Sequence, residues 1–331
     1  MDLTTKWLGF SLPHPFVAGA SPLADSIDRV RRLEDAGIAA IVLRSLFEEQ
    51  IDQEALAHHH ALAASAESHG EALSYFPDPD GCVFGPEEYL THLQQVKQAV
   101  AVPVIASLNG YTSGGWTGYA KRIAEAGADA LELNLWYVAT DTADSGGELE
   151  AEAFALVRGI RQTLPIPVAV KLSPFYTSLP NFALRLQAAG AAGLVLFNRF
   201  FEADLDIEAL EVRPHLELSH PHELLLRLRW LAILSPQLDC DLAVSGGVHT
   251  ARDAVKAIMC GADAVQLVAA LLKGGVGRLT ELRSGLAQWL EQNGYHSLAQ
   301  MRGSMDISRT PDPKAFERAN YMRVLQTWRH D

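Results

Sequence analysis

The chain has 331 residues, of which 48% are hydrophobic and 20% charged, so it can bury a full core and is not a disordered polypeptide. Its formal net charge of −13 argues against nucleic acid or an anionic membrane as the main partner, because each needs a cationic face. A local basic pocket for a phosphate remains open. Cys82, Cys240 and Cys260 show no metal-ligand spacing and leave one over from any disulfide, the usage of a reducing cytoplasm. No secretory leader is read in Met1–Trp7, and no run reaches the roughly 18 apolar residues of a membrane span.

In chain order, one phrase recurs: a helical stretch, a Gly stop, a short loop, an apolar strand. Strand 1 is expected at Phe16–Gly19, and a helix over about 26–36 closes with Ala36-Gly37 before strand 2 at Ala40–Leu43. Glycine there can take the left-handed conformation that ends a helix. A long insertion, 45–85, precedes a helix over 86–99; Val102-Pro103 then introduces strand 3, Val104–Leu108. A helix over 116–126 ends at Ala126-Gly127 before strand 4, Ala130–Leu133, and a helix over 148–163 leads through Pro165–Pro167 to strand 5, Val168–Lys171. The helix 179–189 stops at Gly190 before strand 6, Gly193–Phe197, which a second insertion, 198–221, follows. Helix 222–234, strand 7 (Leu242–Val244), helix 251–259 with its Cys260-Gly261 stop, strand 8 (Ala264–Leu267) and helix 278–293 complete the count.

Eight strands alternating with eight helices is the pattern of a (β/α)8 TIM barrel. A doubly wound open sheet would carry Gly-x-Gly-x-x-Gly after strand 1, and Ala18-Gly19-Ala20-Ser21-Pro22 does not. The expectation is one domain over 1–331. Its barrel core runs over about 14–294, its insertions after strands 2 and 6 roof the catalytic face, and a helical tail over 295–331 (helices about 296–303 and 313–328) packs outside.

Barrels place their chemistry at the C-terminal ends of the strands. Those ends carry Ser21, Arg44-Ser45, Ser107 with Asn109, Asn134, Lys171, Asn198, Ser245-Gly246-Gly247 and Val268-Ala269-Ala270. Singly, Ser-Gly-Gly is a tight turn, Lys171 a solvated charge and each Asn a cap. Together, Asn134, Lys171 and Asn198 on successive strands suit a planar heteroaromatic ring. The glycines after strand 7 and the amides after strand 8 suit a phosphate. A ring joined to a phosphate points to flavin mononucleotide, FMN. Arg199 beside Asn198 is a candidate partner for a substrate carboxylate.

The order and spacing of Glu132-Leu133-Asn134-Leu135, Val170-Lys171-Leu172-Ser173-Pro174, Ser245-Gly246-Gly247-Val248, Cys260-Gly261-Ala262 and Gly294-Tyr295 resemble the dihydroorotate dehydrogenase family of FMN-dependent barrels. The resemblance runs over nearly the whole chain up to about residue 305. It implies hydride transfer between FMN and a dihydroorotate-like CH–CH bond, as in pyrimidine biosynthesis. It implies Lys171 at the flavin N1 and C2 carbonyl, where positive charge stabilises the reduced ring. It also implies Asn134 at flavin and substrate, Asn198 at the substrate edge, Ala20, Ser21 and Ser107 against the ring, and Ser245, Gly246, Gly247, Val268 and Ala269 around the phosphate.

Four departures stand out. Arg44 occupies a position where the family has a lysine, and a planar fork is not a point charge. Val268-Ala269 replaces Gly-Thr or Gly-Ser, removing a hydroxyl from the phosphate site. The family's Asn-Leu-Ser-Cys-Pro-Asn becomes Asn134-Leu135-Trp136-Tyr137-Val138-Ala139, with Tyr137 in the position of the catalytic base and Ala139 in that of a substrate asparagine. An asparagine expected near Ser74–Pro77 is also absent. A phenol with an ordinary pKa near ~10 suits a proton donor in the reductive direction better than a base.

The alternatives are an FMN oxidoreductase for a different small ring or enone, a Schiff-base aldolase using Lys171, and a non-catalytic flavin subunit. No metal is expected: His58-His59-His60 with His69 reads as a solvated run. Trp116 and Trp136 could stack on a ligand. Without an iron–sulfur cysteine cluster or a quinone-type extension, electrons are expected to pass to a soluble acceptor or a redox partner subunit. A homodimer is expected by analogy alone.

Overall fold

The computed structural model describes residues 1–51, 85–110, 116–199 and 203–327. The His58–His60 run, His69, Cys82 and the Ser74–Pro77 stretch lie outside the described residues. Among the described residues, eight parallel strand positions form the barrel: β1 (Phe16–Ala18), β2 (Ile41–Val42), β3 (Val104–Gly110), β4 (Ala130–Leu135), β5 (Val168–Leu172), β6 (Gly193–Leu196), β7 (Asp241–Ser245) and β8 (Ala264–Leu267); a further two-residue strand, Leu46–Phe47, extends the second position and also pairs with β3. Each pairs with its neighbours in sequence order, and β8 pairs back onto β1, so the sheet is closed. The shortest member, β2, joins the two sides: Ala18 pairs with Ile41, while Ile41 and Val42 pair with Val104 and Ile105.

Local chemistry sets the helices that separate these strands. Thr250 caps the helix Ala251–Met259: its hydroxyl accepts from the Asp253 amide at 3.2 Å, and the Asp253 carboxylate accepts from the Thr250 amide at 2.9 Å. Gly190, at φ 108°, ends the helix Leu179–Ala189 in the left-handed region. The helices 86–99, 179–189 and 251–259 have the bounds expected from the sequence. The tail helices are shorter than expected, at Leu298–Met301 and Ala319–Gln326; Gly303 at φ 70° turns the chain away after the single turn of the first. The tail then lies along the outer helices: the Gly303 amide bonds the Ile258 carbonyl at 3.0 Å, and the Ile307 amide bonds that of Ala232 at 3.0 Å.

Inside, each strand contributes one residue to an apolar layer: Val17, Val42, Ile105, Ala130, Ala169, Val195, Ala243 and Ala264. Four alanines leave room at that level. An N-terminal hairpin that the sequence reading did not foresee, Thr5–Trp7 paired antiparallel with Phe10–Leu12, fills it with Trp7, Leu8 and Leu12. Its turn uses Leu8 at φ 53° and Gly9 at φ 83°, and the Leu8 amide donates to Asp241 Oδ2 at 2.7 Å at the start of β7. Two three-residue strands are too short to stand as a pattern in sequence, and such a hairpin is stable only against the barrel floor. The N-terminal end is therefore closed by apolar packing.

The strand 6 insertion forms a second hairpin, Asp204–Asp206 with Glu211–Arg213, that leaves Leu205, Ile207, Leu210 and Val212 exposed. Among the described residues no helix is long and apolar enough to cross a membrane. Trp7 is fully buried, so Trp7→Ala is expected to cost about 3–5 kcal/mol, the range for deleting a large core aromatic. Urea unfolding followed by circular dichroism measures this loss.

Candidate active site

Side chains alternate along a strand, so the same parity that points Ile105, Ala130, Ala169 and Ala264 into the barrel floor points Ser107, Asn109, Glu132, Asn134, Lys171 and Gln266 into the barrel above it. The register places Ser107 beside Glu132, and Asn134 beside both Asn109 and Lys171. All six are buried, Glu132 to 1% exposure and Lys171 to 5%. Lys171 Nζ donates to Glu132 Oε1 at 3.3 Å and to Gln266 Oε1 at 3.4 Å, and Gln266 Nε2 donates to Glu132 Oε2. On the other side, Asn134 Nδ2 donates to Ser45 Oγ at 3.1 Å, and Ser45 Oγ lies 2.8 Å from Ser107 Oγ. Asn134 Oδ1 is buried and has no hydrogen-bond partner among the described residues. A buried acceptor left open costs free energy unless a ligand supplies a donor.

The remaining expected ring contacts flank this set. Ser21 is buried with its hydroxyl donating to the Gly19 carbonyl at 3.0 Å, and Ala20 is half-buried beside it. At Gly19 a Cβ would stand 2.8 Å from Val268 Cγ2, so β1 and β8 approach too closely there for any side chain. Arg44 is a different case. Its fork is engaged by Asp25, Nε on Oδ1 at 3.0 Å and Nη2 on Oδ2 at 2.6 Å. Asn198 Oδ1 accepts from the Arg199 amide at 3.0 Å, and Arg199 Nη2 lies 3.4 Å from Glu223 Oε1.

At the proposed phosphate end, Gly246 and Gly247 have φ values of 87° and 81°. A Cβ on Gly247 would stand 2.5 Å from the Leu224 backbone nitrogen, so both conformation and space require glycine. The Gly247 amide donates to Ser219 Oγ at 3.3 Å. Val268 precedes the short helix Ala269–Gly274, which brings the Val268 and Ala269 amides to the neighbouring strand end. Beneath this turn lies Arg227, buried, with Nε donating to the Ser245 carbonyl and Nη1 to the Glu223 carbonyl at 2.7 Å. Burial pulls its pKa below the ordinary value against the opposing pull of Glu223.

Four residues of this centre were not singled out from sequence: Glu132, Gln266, Arg227 and Ser219. A signal existed for the first three. Glu132 lies two residues before Asn134, Gln266 interrupts an apolar strand two residues after Ala264, and Arg227 stands in an otherwise leucine-rich helix, Leu224–Leu234. Ser219 has no local signal.

Tyr137 follows Asn134 into a neighbouring cavity. It is 40% exposed and lines a cavity of about 490 Å³ walled by Trp136, Phe175, Tyr176, Phe182 and Glu150, with Leu135, one residue beyond Asn134, and Ser173, two beyond Lys171, also lining it. Its hydroxyl donates to Asp144 Oδ2 at 2.7 Å, and this bond raises its pKa above that of an ordinary phenol. Among the described residues no group of three or more His, Cys, Asp or Glu is placed to hold a metal.

The sequence profile of the family described as "Dihydroorotate dehydrogenase" matches residues 83–290. The chain belongs to the dihydroorotate dehydrogenase family. It is 31% identical over 227 residues to a putative dihydroorotate dehydrogenase A (fumarate) of Aeropyrum pernix, covering 64% of this chain and 70% of that protein. It is 25% identical over 307 residues to the catalytic subunit of dihydroorotate dehydrogenase B (NAD(+)) of Thermoplasma volcanium, covering 91% and 98%. It is also 23% identical over 327 residues to the NAD-dependent dihydropyrimidine dehydrogenase subunit PreA of Escherichia coli strain K12, covering 94% and 78%. By name these relatives are dehydrogenases of dihydroorotate or of dihydropyrimidines.

The glycine requirement yields a direct expectation. Gly247→Ala should lower the thermal unfolding midpoint, with a loss of more than about 1 kcal/mol, because alanine is strained at this φ and meets backbone rather than a movable side chain.

Proposed function

We propose that this chain is an FMN-dependent oxidoreductase that moves a hydride between the flavin and a CH–CH bond of a small ring of the dihydropyrimidine type. The observation that carries the reading is the buried, open acceptor Asn134 Oδ1 beside the donor Lys171, at a mouth whose phosphate end is a two-glycine turn. A planar ring with N–H and carbonyl edges, joined to a phosphate, matches that donor set. FMN would be held at its ring by Ala20, Ser21, Ser107, Asn134 and Lys171, and at its phosphate by Ser245, Gly246, Gly247, Val268 and Ala269. Arg44, tied to Asp25, would contribute charge at the rim rather than a bidentate contact.

Bound FMN supplies the two-electron acceptor and donor. Lys171 would present one N–H to the ring edge where negative charge develops on reduction. Asn134, Asn198 and Arg199 would orient the substrate, with Arg199 shared with Glu223. Tyr137 keeps its proton at neutral pH, which suits delivery of a proton during substrate reduction and opposes removal of one. The Schiff-base reading loses support, because both acceptors on Lys171 Nζ orient it as a hydrogen-bond donor.

Dihydroorotate and a different dihydropyrimidine or enone remain two readings of one site. Trp136-Tyr137-Val138-Ala139, in place of the family's Ser-Cys-Pro-Asn, favours the second. Electrons would leave to a soluble acceptor or a redox partner subunit, a reading supported by the catalytic-subunit names of relatives. The exposed apolar hairpin at 204–213 fits burial in a homodimer or such a complex.

Anaerobic mixing of the FMN-loaded protein with dihydroorotate and a panel of dihydropyrimidines is expected to bleach the flavin with a ring other than dihydroorotate. Fast bleaching by dihydroorotate alone would instead select the first reading, and a protein that retains no FMN would reject both. With the substrate so identified, Tyr137→Phe is expected to slow reoxidation of the reduced flavin by about 10²-fold or more, the usual range for a lost general acid. In the unsubstituted protein that rate should show no Tyr137 ionisation between pH 6 and 9, because the phenol titrates above this window. An unchanged rate in the phenylalanine variant would remove Tyr137 from the mechanism.

A further inference from the structure

We propose that Glu132 is a positioning residue that sets the reduction potential of the flavin by fixing and offsetting the charge of Lys171. The inference rests on the FMN reading above and deepens it. Glu132 is only 1% exposed, and a carboxylate with so little access to water needs compensation from its neighbours. Both oxygens are engaged, Oε1 by Lys171 Nζ and Oε2 by Gln266 Nε2. Gln266 closes the set: its Nε2 faces the carboxylate and its Oε1 faces the ammonium at 3.4 Å. The three side chains therefore form one cycle of hydrogen bonds between β4, β5 and β8, across the interior of the barrel.

Two consequences follow from this geometry. The cycle uses two of the three donors on Lys171 Nζ, so one N–H is left for a ligand, and its direction is determined by the other two. The cycle is also neutral as a unit. Lys171 is in register with Asn134 at the mouth, while Glu132 starts two residues deeper on β4, about 7 Å farther along the strand. A ring at the mouth therefore feels a near positive charge partly cancelled by a farther negative one, in a medium of low effective dielectric where such differences count.

The test is the midpoint potential of bound FMN, measured by spectrophotometric redox titration. Glu132→Gln keeps the shape and a carbonyl acceptor for Lys171 but removes the negative charge, so the potential is expected to move to more positive values. Glu132→Asp keeps the negative charge but withdraws it from Lys171 by one methylene, so it is expected to move the potential in the same direction by less. A purely structural role for the cycle would leave the potential of any variant that folds and binds FMN at the wild-type value. Wild-type potentials in both variants would overturn the proposal, and a positive shift that is larger in Glu132→Gln supports it. Should Glu132→Gln fail to fold, the Glu132→Asp shift alone decides, its absence overturning the inference. A wild-type protein that takes up no FMN removes the flavin reading itself, and this inference with it.

Discussion

The barrel closes through two residues. Ile41 and Val42 tie Ala18 on one side to Val104 and Ile105 on the other, and that closure dictates which side chains face inward on all eight strands. Because the strand period is two, a slip of one residue would turn Asn134 and Lys171 out and Leu135 and Leu172 in. The apolar floor layer, plugged by Trp7, and the polar layer at the mouth are two readings of the same parity. The site is thus a consequence of closure and register, not of any single loop.

The chain carries a net charge of −13, yet it concentrates cations at this mouth, and each has a carboxylate close by. Lys171 is held by Glu132, Arg44 by Asp25, and Arg199 and Arg227 share Glu223. Pairing offsets the desolvation that buried charges incur, and it converts free charge into directed donors. A ligand at this mouth meets oriented N–H groups with most of their field balanced. That arrangement suits a cofactor whose charge changes on reduction, because small imbalances between paired charges then have a large effect on it.

The stretch after β4 is aromatic. Trp136 and Tyr137 stand beside Phe175, Tyr176 and Phe182 around a cavity outside the ring of barrel-facing polar residues. The Asp144 bond holds the Tyr137 proton in place. Strand register places the barrel-facing polar residues, and the aromatic loop after β4 lines the neighbouring cavity.

Much of the architecture was legible in the sequence. Gly stops at Gly37, Gly127, Gly190 and Gly261 and β-branched strand runs are local signals, so the strand and helix count and several element bounds could be read directly. The strand-end residues, Asn134, Lys171 and the Ser245-Gly246-Gly247 turn among them, were visible for the same reason. What the sequence could not decide is which partners those residues meet. Lys171 and Glu132 are 39 positions apart, Gln266 another 95 beyond Lys171, and Arg44 finds Asp25 only once β1 and β2 pair. The sequence alone determined the scaffold and the residue types at its mouth, because backbone preference and periodicity act over a few residues. Only the tertiary structure decided whether each charge is free or engaged, because pairing depends on distances that exist after the barrel has closed.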